Sequence, residues 1–291
     1  MIYILLAAVG YSCLPIFTKT LLASGLEPID LAAWRYLVAV PIFWLIALRR
    51  PVTPADRPIP RLPVMVLGGL LALAAIAAFF GLQRLNAGTF VVLFYTYPTM
   101  VALISLFMGE RLSLTGYVAL ALTLVGILLS TPGFESGFNA DSLPGLALAL
   151  VNALIVAVYF LWSSRLLRGL PTLRAGSWTV TGTLITLLIL APFGGITVPG
   201  TVDAWVNLAL LATVSTVLPV FALNMGIQKL GATKASIVSS FEPILTSVLA
   251  MIFLHENMQI IQWLGAVFIV ASVVILQLRP PPATKTVPEP L

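Results

Sequence analysis

Long apolar runs separated by short polar breaks dominate the chain. Ten runs have the length of about 20 residues that a helix needs to cross the hydrocarbon core of a bilayer. They cover residues 2–22, 29–48, 62–82, 88–108, 114–131, 143–166, 175–194, 204–228, 233–254 and 258–278. The breaks contain glycine, proline and charged side chains, which interrupt helices. The pattern therefore predicts an all-α membrane protein with ten transmembrane helices.

The second half of the chain repeats features of the first. Residues 81–88 (GLQRLNAG) return as residues 226–233 (GIQKLGAT), and at the same spacing Tyr97-Pro98 corresponds to Glu242-Pro243. Each of these prolines interrupts an apolar run near its middle. Paired breaks of this kind are typical of transporters built from two repeats. We predict a first five-helix repeat over residues 1–133, a second over 143–279, and a disordered cytoplasmic tail over 280–291.

The basic residues indicate how the chain lies in the membrane. If the N-terminus is cytoplasmic, 12 of the 15 lysines and arginines fall in inside loops or the tail, and only Arg84 falls in an outside loop. Cytoplasmic loops of membrane proteins are rich in basic residues, so we expect both termini in the cytoplasm. The start of the chain lacks a basic region before its first apolar run, so we expect a spanning helix there and not a signal peptide. Five helices per half then make the two repeats inverted relative to each other.

Composition excludes several classes of function. The chain is 60% hydrophobic and only 9% charged, whereas a soluble domain is about 25% charged. Its single cysteine, Cys13, cannot form an internal disulfide, and its single histidine, His255, leaves the zinc-protease pattern incomplete. Phosphate-binding loops and nucleophile elbows are absent from the sequence. We therefore predict that the protein is not an enzyme and binds no cofactor, metal or nucleic acid. We expect a monomer in the lipid bilayer that transports a small-molecule substrate.

Glu242 is the strongest candidate for a functional residue. It lies about nine residues into the ninth run, near the middle of the bilayer, where a carboxylate costs on the order of 3 kcal/mol. Pro243 removes the helical bond to the carbonyl of Ser239, so that this carbonyl needs another partner. A protonated glutamic acid bonded to a neighbouring helix is the alternative. We favour a substrate-binding role, because charged residues within spans usually face a cavity.

Aromatic and polar residues of other runs complete the predicted substrate site. Tyr95 and Tyr97 lie beside the matching helix break at Pro98. The remaining candidates are Tyr11, Phe79, Tyr159, Trp162, Trp178, Asn224 and Ser239. Many of the aromatic side chains must instead face lipid, and a single tyrosine is usually only a packed residue. A cavity lined by the others favours an amphipathic or aromatic solute of low net charge.

Two further pairs of residues allow two interpretations each. Gln83 and Gln228 occupy equivalent positions of inverted halves and either line opposite mouths of one path or bridge neighbouring helices. Lys19 and Arg35 lie near the outer ends of the first two runs. We expect both to reach the outer headgroups with their long side chains. The alternative is a pairing with Glu27, Asp30 or a substrate carboxylate.

Several motifs resemble a known family. They are Ala33-Trp34-Arg35-Tyr36 in the second run, Gly109-Glu110-Arg111-Leu112 after the fourth, and His255-Glu256-Asn257-Met258 after the ninth. Together with the two halves, they make residues 1–280 similar to the ten-helix drug/metabolite transporter superfamily, the EamA-type exporters. Within it the chain looks most like the bacterial aromatic amino-acid exporters. This resemblance implies export across the bacterial inner membrane, with Glu110 and Glu256 at the acidic position of the family.

The residues and the resemblance together predict a secondary transporter that exports amino acids, aromatic or neutral, and related metabolites by alternating access. The substrate would bind near the midplane between helices 3–4 and 8–9, with helices 1–2 and 6–7 rocking around it. Glu242 would contact the substrate ammonium or a coupling proton. A non-saturating channel for small amphipathic solutes is the alternative, and an intramembrane enzyme ranks last.

Overall fold

The computed structural model describes residues 2–49, 57–108, 114–130, 142–167, 169–191, 197–230 and 241–278. All of the regular elements in these ranges are helical. They are α1 (Ile2–Ser12), α2 (Leu14–Ala23), α3 (Pro28–Leu48), α4 (Arg61–Leu82), α5 (Ala87–Phe94), α6 (Tyr97–Phe107), α7 (Leu114–Ser130), α8 (Leu143–Leu166), α9 (Thr172–Leu190), α10 (Val202–Ala212), a π-helical turn (Thr213–Val217), α11 (Leu218–Leu230), α12 (Glu242–Phe253) and α13 (Ile260–Gln277).

These helices account for the ten predicted segments. Seven continuous stretches are long and apolar enough to cross a membrane, and the shorter apolar helices α7, α12 and α13 occupy the other three segments. The prediction of an all-α membrane protein with ten transmembrane helices is confirmed. Large apolar side chains are freely exposed on the outside of the bundle, as for Phe107 (88%) and Ile260 (83%). Such a surface suits lipid and not water.

Proline lies at the start of three of the helices. Pro15, Pro98 and Pro243 lie in the first turns of α2, α6 and α12. Proline lacks the N–H that a continuous helix needs, and its ring clashes with the preceding turn. The break at Pro98 was predicted from the sequence and is observed, whereas residues 231–240, before the predicted break at Pro243, fall outside the described residues. The break between α1 and α2 at Cys13 was not predicted.

The main helix contacts join the first half of the chain to the second. Helix α4 packs against α8 and α9, α3 against α9, α1 against α11, α5 against α12, and α7 against α13. Segments 1 to 5 of the first half are equivalent to segments 6 to 10 of the second. When each segment is replaced by its equivalent, every contacting pair gives either the same pair or another pair that is observed; the contact of α4 with α8, for example, becomes that of α11 with α1. The packing therefore has the approximate two-fold pattern that duplicated halves require.

Glycine permits the close crossing of α4 and α9. A Cβ atom on Gly68 would lie 2.0 Å from the carbonyl oxygen of Thr179, and a Cβ atom on Gly182 would lie 2.2 Å from that of Met65. Thr183 also donates a hydrogen bond of 2.9 Å to the carbonyl of Gly68. Small residues that let two backbones approach are the usual means of helix association in membranes. This crossing holds α4, which carries Phe79, in place beside the second half.

Candidate functional site

The two predicted helix breaks meet inside the bundle. Tyr95 follows α5 directly and is buried, and its hydroxyl donates a hydrogen bond of 2.7 Å to Oε2 of Glu242. Glu242 is the first residue of α12, and Pro243 is the second. The carboxylate therefore lies at a helix N-terminus, where unpaired N–H groups favour a negative charge. One acid and one phenol, each beside a proline, thus meet across the interface between α5 and α12.

Aromatic rings surround this pair on the side of α8. Tyr97 stacks on Phe160 with a centroid distance of 5.3 Å and an interplanar angle of 10°. It also lies 5.3 Å from Phe94 and 6.0 Å from Tyr95. Tyr159 contacts Phe160 edge to face at 6.0 Å. Offset and edge-to-face contacts at these distances are favourable and leave the rings in fixed orientations.

Arg35 points into the bundle and not toward headgroups. Its side chain is only 8% exposed, and its Nε donates a hydrogen bond of 2.7 Å to Oγ1 of Thr216. The guanidinium carbon lies 5.2 Å from the ring of Tyr36 and 5.9 Å from that of Phe79, both within cation–π range. The expectation that Arg35 reaches the outer headgroups is wrong, because the face of α3 that carries it packs against the second half. The alternative pairing with Glu27 or Asp30 is absent as well.

The partner of Arg35 belongs to an irregular turn. Thr216 lies in the π-helical turn, and its own hydroxyl donates 2.8 Å to the carbonyl of Leu211, five residues earlier. A Cβ atom on Gly10 of α1 would lie 2.7 Å from the carbonyl of Val214, so α1 packs directly on this turn. Turns of the π type are frequent at functional sites. Neither this turn nor a role for Thr216 was predicted from the sequence.

Tyr11 lies near both charged residues of the site, Glu242 and Arg35. It lies close enough to interact electrostatically with Glu242, Arg35, Tyr36 and Tyr159. These residues, with their direct partners, form what we call the central cluster. Its members are Tyr11, Arg35, Tyr36, Phe79, Tyr95, Tyr97, Tyr159, Thr216 and Glu242. The cluster draws on both halves of the chain and holds one carboxyl and one guanidinium group within the apolar bundle.

A cavity adjoins the central cluster at one end. It measures about 200 Å³ and is lined by Phe43, Tyr159, Leu173, Thr179 and Phe221, among others. Phe43, Tyr159 and Leu173 lie in the parts of α3, α8 and α9 that the basic residues predict to be nearer the cytoplasm. Tyr159 belongs to both the cavity and the cluster. The cavity is lined by segments 2, 6, 7 and 8, and the position of the substrate between segments 3–4 and 8–9 stays a prediction.

The opposite, predicted outer end is held together by polar contacts between the halves. Lys19 of α2 forms an ion pair with Glu256, in the loop after α12, and donates 2.8 Å to the carbonyl of Leu85. Glu256 also accepts a bond of 2.6 Å from the backbone N–H of Ala87, the first residue of α5. This carboxylate therefore caps α5 and binds Lys19 at once. The expectation that Lys19 reaches the headgroups is wrong, since its partner is an acid 237 residues away.

A second contact at the same end involves Asp30. Its carboxylate accepts hydrogen bonds from the hydroxyl and from the backbone N–H of Thr197, the latter at 2.7 Å. Trp34 donates 3.1 Å to the carbonyl of Thr197 and packs edge to face on Trp205 at 5.2 Å. These bonds fix the start of α3 to the chain before α10. We call the contacts of Glu256 and Asp30 the outer latch.

The other predicted site residues lie elsewhere. Trp162 is 40% exposed, and Trp178 contacts Trp44 at 5.2 Å and Arg61 at 5.1 Å, away from the central cluster. Gln83 is exposed at the end of α4. The side chains of Asn224 and Gln228, and all of Ser239, fall outside the described residues, as does Glu110. Among the residues that are described, no group of His, Cys, Asp or Glu could hold a metal ion.

Comparison with known proteins identifies relatives over almost the whole chain. The EamA-like transporter family matches twice, at residues 1–131 and 143–278. The uncharacterized transporter YcbK of Bacillus subtilis is 26% identical and aligns over 91% of this chain and 88% of its own length. The threonine/homoserine exporter RhtA of Escherichia coli is 30% identical over 73% of this chain and 70% of its own length. These relatives do not confirm the narrower resemblance to aromatic amino-acid exporters.

A solved crystal structure supports the fold independently. Its chain is 20% identical, and the alignment covers 95% of this chain and 96% of the other with a TM-score of 0.68. At this identity the likeness concerns the fold alone.

Proposed function

Because the chain belongs to the EamA-like transporter family, we propose that it exports amino acids, aromatic or neutral, and related small metabolites by alternating access. The observation that carries the proposal is the hydrogen bond between Tyr95 and Glu242. It places an acidic group on the interface of the two halves, beside aromatic rings that suit an amphipathic solute. The threonine/homoserine exporter among the relatives favours amino acids as the substrate class.

The two ends of the bundle support alternating access. The outer latch ties the halves together at one end, while the cavity of about 200 Å³ lies at the other. In each state of a carrier, one end of the path is closed and the other is accessible. When the two equivalent halves exchange their conformations, the closed end opens and the accessible end closes. The paired contacts of the halves fit such an exchange. In this scheme the substrate enters from the cytoplasm of a bacterial cell and leaves through the outer end of an inner-membrane protein with both termini inside.

The roles within the site follow from their chemistry. The carboxylate of Glu242 binds the ammonium of the substrate or a coupling proton, held in place by Tyr95. Tyr97 and Tyr159 offer ring faces and hydroxyl groups to the rest of the solute. We assign no role in this site to Trp162, which is 40% exposed, or to Trp178, which contacts Trp44 and Arg61.

Transport into proteoliposomes of radiolabelled phenylalanine and threonine tests the proposal. Wild-type protein should give saturable uptake of at least one of them, and Glu242→Gln should lower that uptake about tenfold or more, because bonds to a charged group are lost. Glu27→Gln is the matched control, since Glu27 is exposed at the start of α3. Equal uptake by wild type and Glu242→Gln would remove Glu242 from the mechanism, and flux that never saturates would indicate a channel.

A further inference from the structure

Arg35 has no ion-pair partner among the described residues of the protein. It is 8% exposed within α3, and the one ion pair among the described residues joins Lys19 to Glu256. Ionised side chains within a membrane span are rare and are almost always paired or used in function. The mechanism proposed above employs Glu242 and leaves this guanidinium group without a role. Its missing counterion points to a ligand.

The side chain of Arg35 is held so that one edge stays available. Within the described residues, only Nε has a hydrogen-bond partner, the hydroxyl oxygen of Thr216 at 2.7 Å. The rings of Tyr36 and Phe79 flank the guanidinium group at 5.2 and 5.9 Å. The two terminal nitrogens therefore form the remaining donor edge. That edge matches a carboxylate, which can accept two parallel hydrogen bonds from it.

The opposite charge of the site lies near the same tyrosine. Tyr11 interacts electrostatically with both Arg35 and Glu242, so a cation and an acid both lie near it. A free amino acid carries its carboxylate and its ammonium group on the same carbon atom and has no net charge from this pair. Its side chain can point past Tyr159, which lines the adjoining cavity. An amine without a carboxylate leaves Arg35 unpaired.

We propose that Arg35 binds the α-carboxylate of the substrate and thereby selects zwitterionic amino acids over amines of the same shape. This inference rests on the proposed function, because it concerns the same transport site. Thr216 is a positioning residue: it accepts the hydrogen bond from Nε of Arg35 and thereby orients the two terminal nitrogens of the guanidinium group. Tyr36 and Phe79 keep the guanidinium group between them.

Ligand-induced stabilisation of the purified protein in detergent tests the assignment without requiring transport. The ligands are phenylalanine, its methyl ester, and 2-phenylethylamine, which lacks the carboxylate. Wild type should bind phenylalanine about tenfold or more tightly than 2-phenylethylamine, because charge-assisted hydrogen bonds are lost with the carboxylate. Arg35→Gln should bind the two equally, and Arg35→Lys should keep part of the preference. Arg84→Gln, at an exposed arginine, should behave like wild type.

The outcomes separate this assignment from the proposed function. Wild type that binds phenylalanine and 2-phenylethylamine equally, or Arg35→Gln that keeps the wild-type preference, would overturn the role of Arg35 and leave amino-acid export standing. Wild type that is stabilised by no amino acid, whether phenylalanine or threonine, would overturn both. If Arg35→Gln does not fold, Thr216→Val serves instead. Thr216→Val keeps the charge of Arg35 but removes the hydrogen bond to Nε. If this variant prefers phenylalanine over 2-phenylethylamine as strongly as wild type does, the positioning role of Thr216, and with it the assignment, is contradicted.

Discussion

A hydrogen bond from Tyr95 to Glu242 connects the fourth and ninth segments of the molecule near their prolines. Its location could be predicted from the sequence, because both residues lie beside a proline that interrupts an apolar run. Proline frees a backbone carbonyl and ends the helix before it, so that polar groups are tolerated at that depth. The sequence therefore identified the acid and its phenolic neighbour.

Removing the hydroxyl of Tyr95 measures what this bond contributes. Tyr95→Phe keeps the ring contacts with Phe94 and Tyr97 but leaves Oε2 of Glu242 without its donor. We expect the apparent affinity for transported amino acid to fall about tenfold, as for other bonds to a charged group. Uptake into proteoliposomes over a range of concentrations gives this value. Tyr117→Phe, at a half-exposed tyrosine of α7, is the control, and an equal change in both variants would speak against the bond.

The partners of Arg35 and Lys19 could not be predicted from the sequence. The sequence gives the depth of a side chain in a helix but not the face that meets the bundle. A long basic side chain near a helix end can reach headgroups or an interior partner. The partners of Arg35 and Lys19 are Thr216 and Glu256, both in the other half of the chain. Only tertiary packing brings such distant residues together.

Among the structural elements, the ten segments can be predicted from the length and apolar character of the sequence runs. Irregular turns within a segment leave a weaker signal in the sequence. The apolar runs agree with the helices because a bilayer fixes the length of a span. The break at Cys13 and the π-helical turn Thr213–Val217 were not predicted. Pro15 and Pro219 are the signals that were available for them. Proline alone does not decide between a kink, a break and a π turn, since the neighbouring helices must satisfy the freed groups.

The crossing of α4 and α9 gives a direct test of helix packing. Gly68→Ala places a Cβ atom 2.0 Å from the carbonyl of Thr179, whereas Gly69→Ala meets only the hydroxyl of Thr186 at 3.4 Å. Overpacking of this kind costs about 1–3 kcal/mol. The unfolding midpoint of the protein in detergent should fall by several degrees for Gly68→Ala. It should stay within about 1 °C of wild type for Gly69→Ala, because that methyl group meets only ordinary contacts. Equal midpoints for the two variants would show that the helices do not cross at Gly68.

At the scale of the whole molecule, the duplicated sequence predicts two equivalent halves, and the helix contacts are paired accordingly. The difference between the two ends was not foreseeable. It arises from the outer latch and the cavity, which depend on single residues such as Glu256 and on small differences between the repeats. In the proposed mechanism this asymmetry corresponds to one state of the transporter. Alternating access then requires a second state in which the latch is open and the cavity is closed.

Reciprocal labelling of the two ends tests alternating access most directly. Two single-cysteine variants are made in a Cys13→Ser background. Thr89→Cys lies buried about half a helical turn below the latch at Ala87, and Gly176→Cys lies in the cavity, where a Cβ atom has open space. Their rates of reaction with a small water-soluble thiol reagent are measured with and without transported amino acid. Lys19→Met, which removes the ion pair of the latch, is the control that should raise labelling of Thr89→Cys.

If the structure is the inward-accessible state, Thr89→Cys should be labelled slowly and Gly176→Cys rapidly without substrate. Added amino acid should change the two rates in opposite directions, raising the first and lowering the second. Fast labelling of both positions at once, or rates that substrate leaves unchanged, would contradict alternating access.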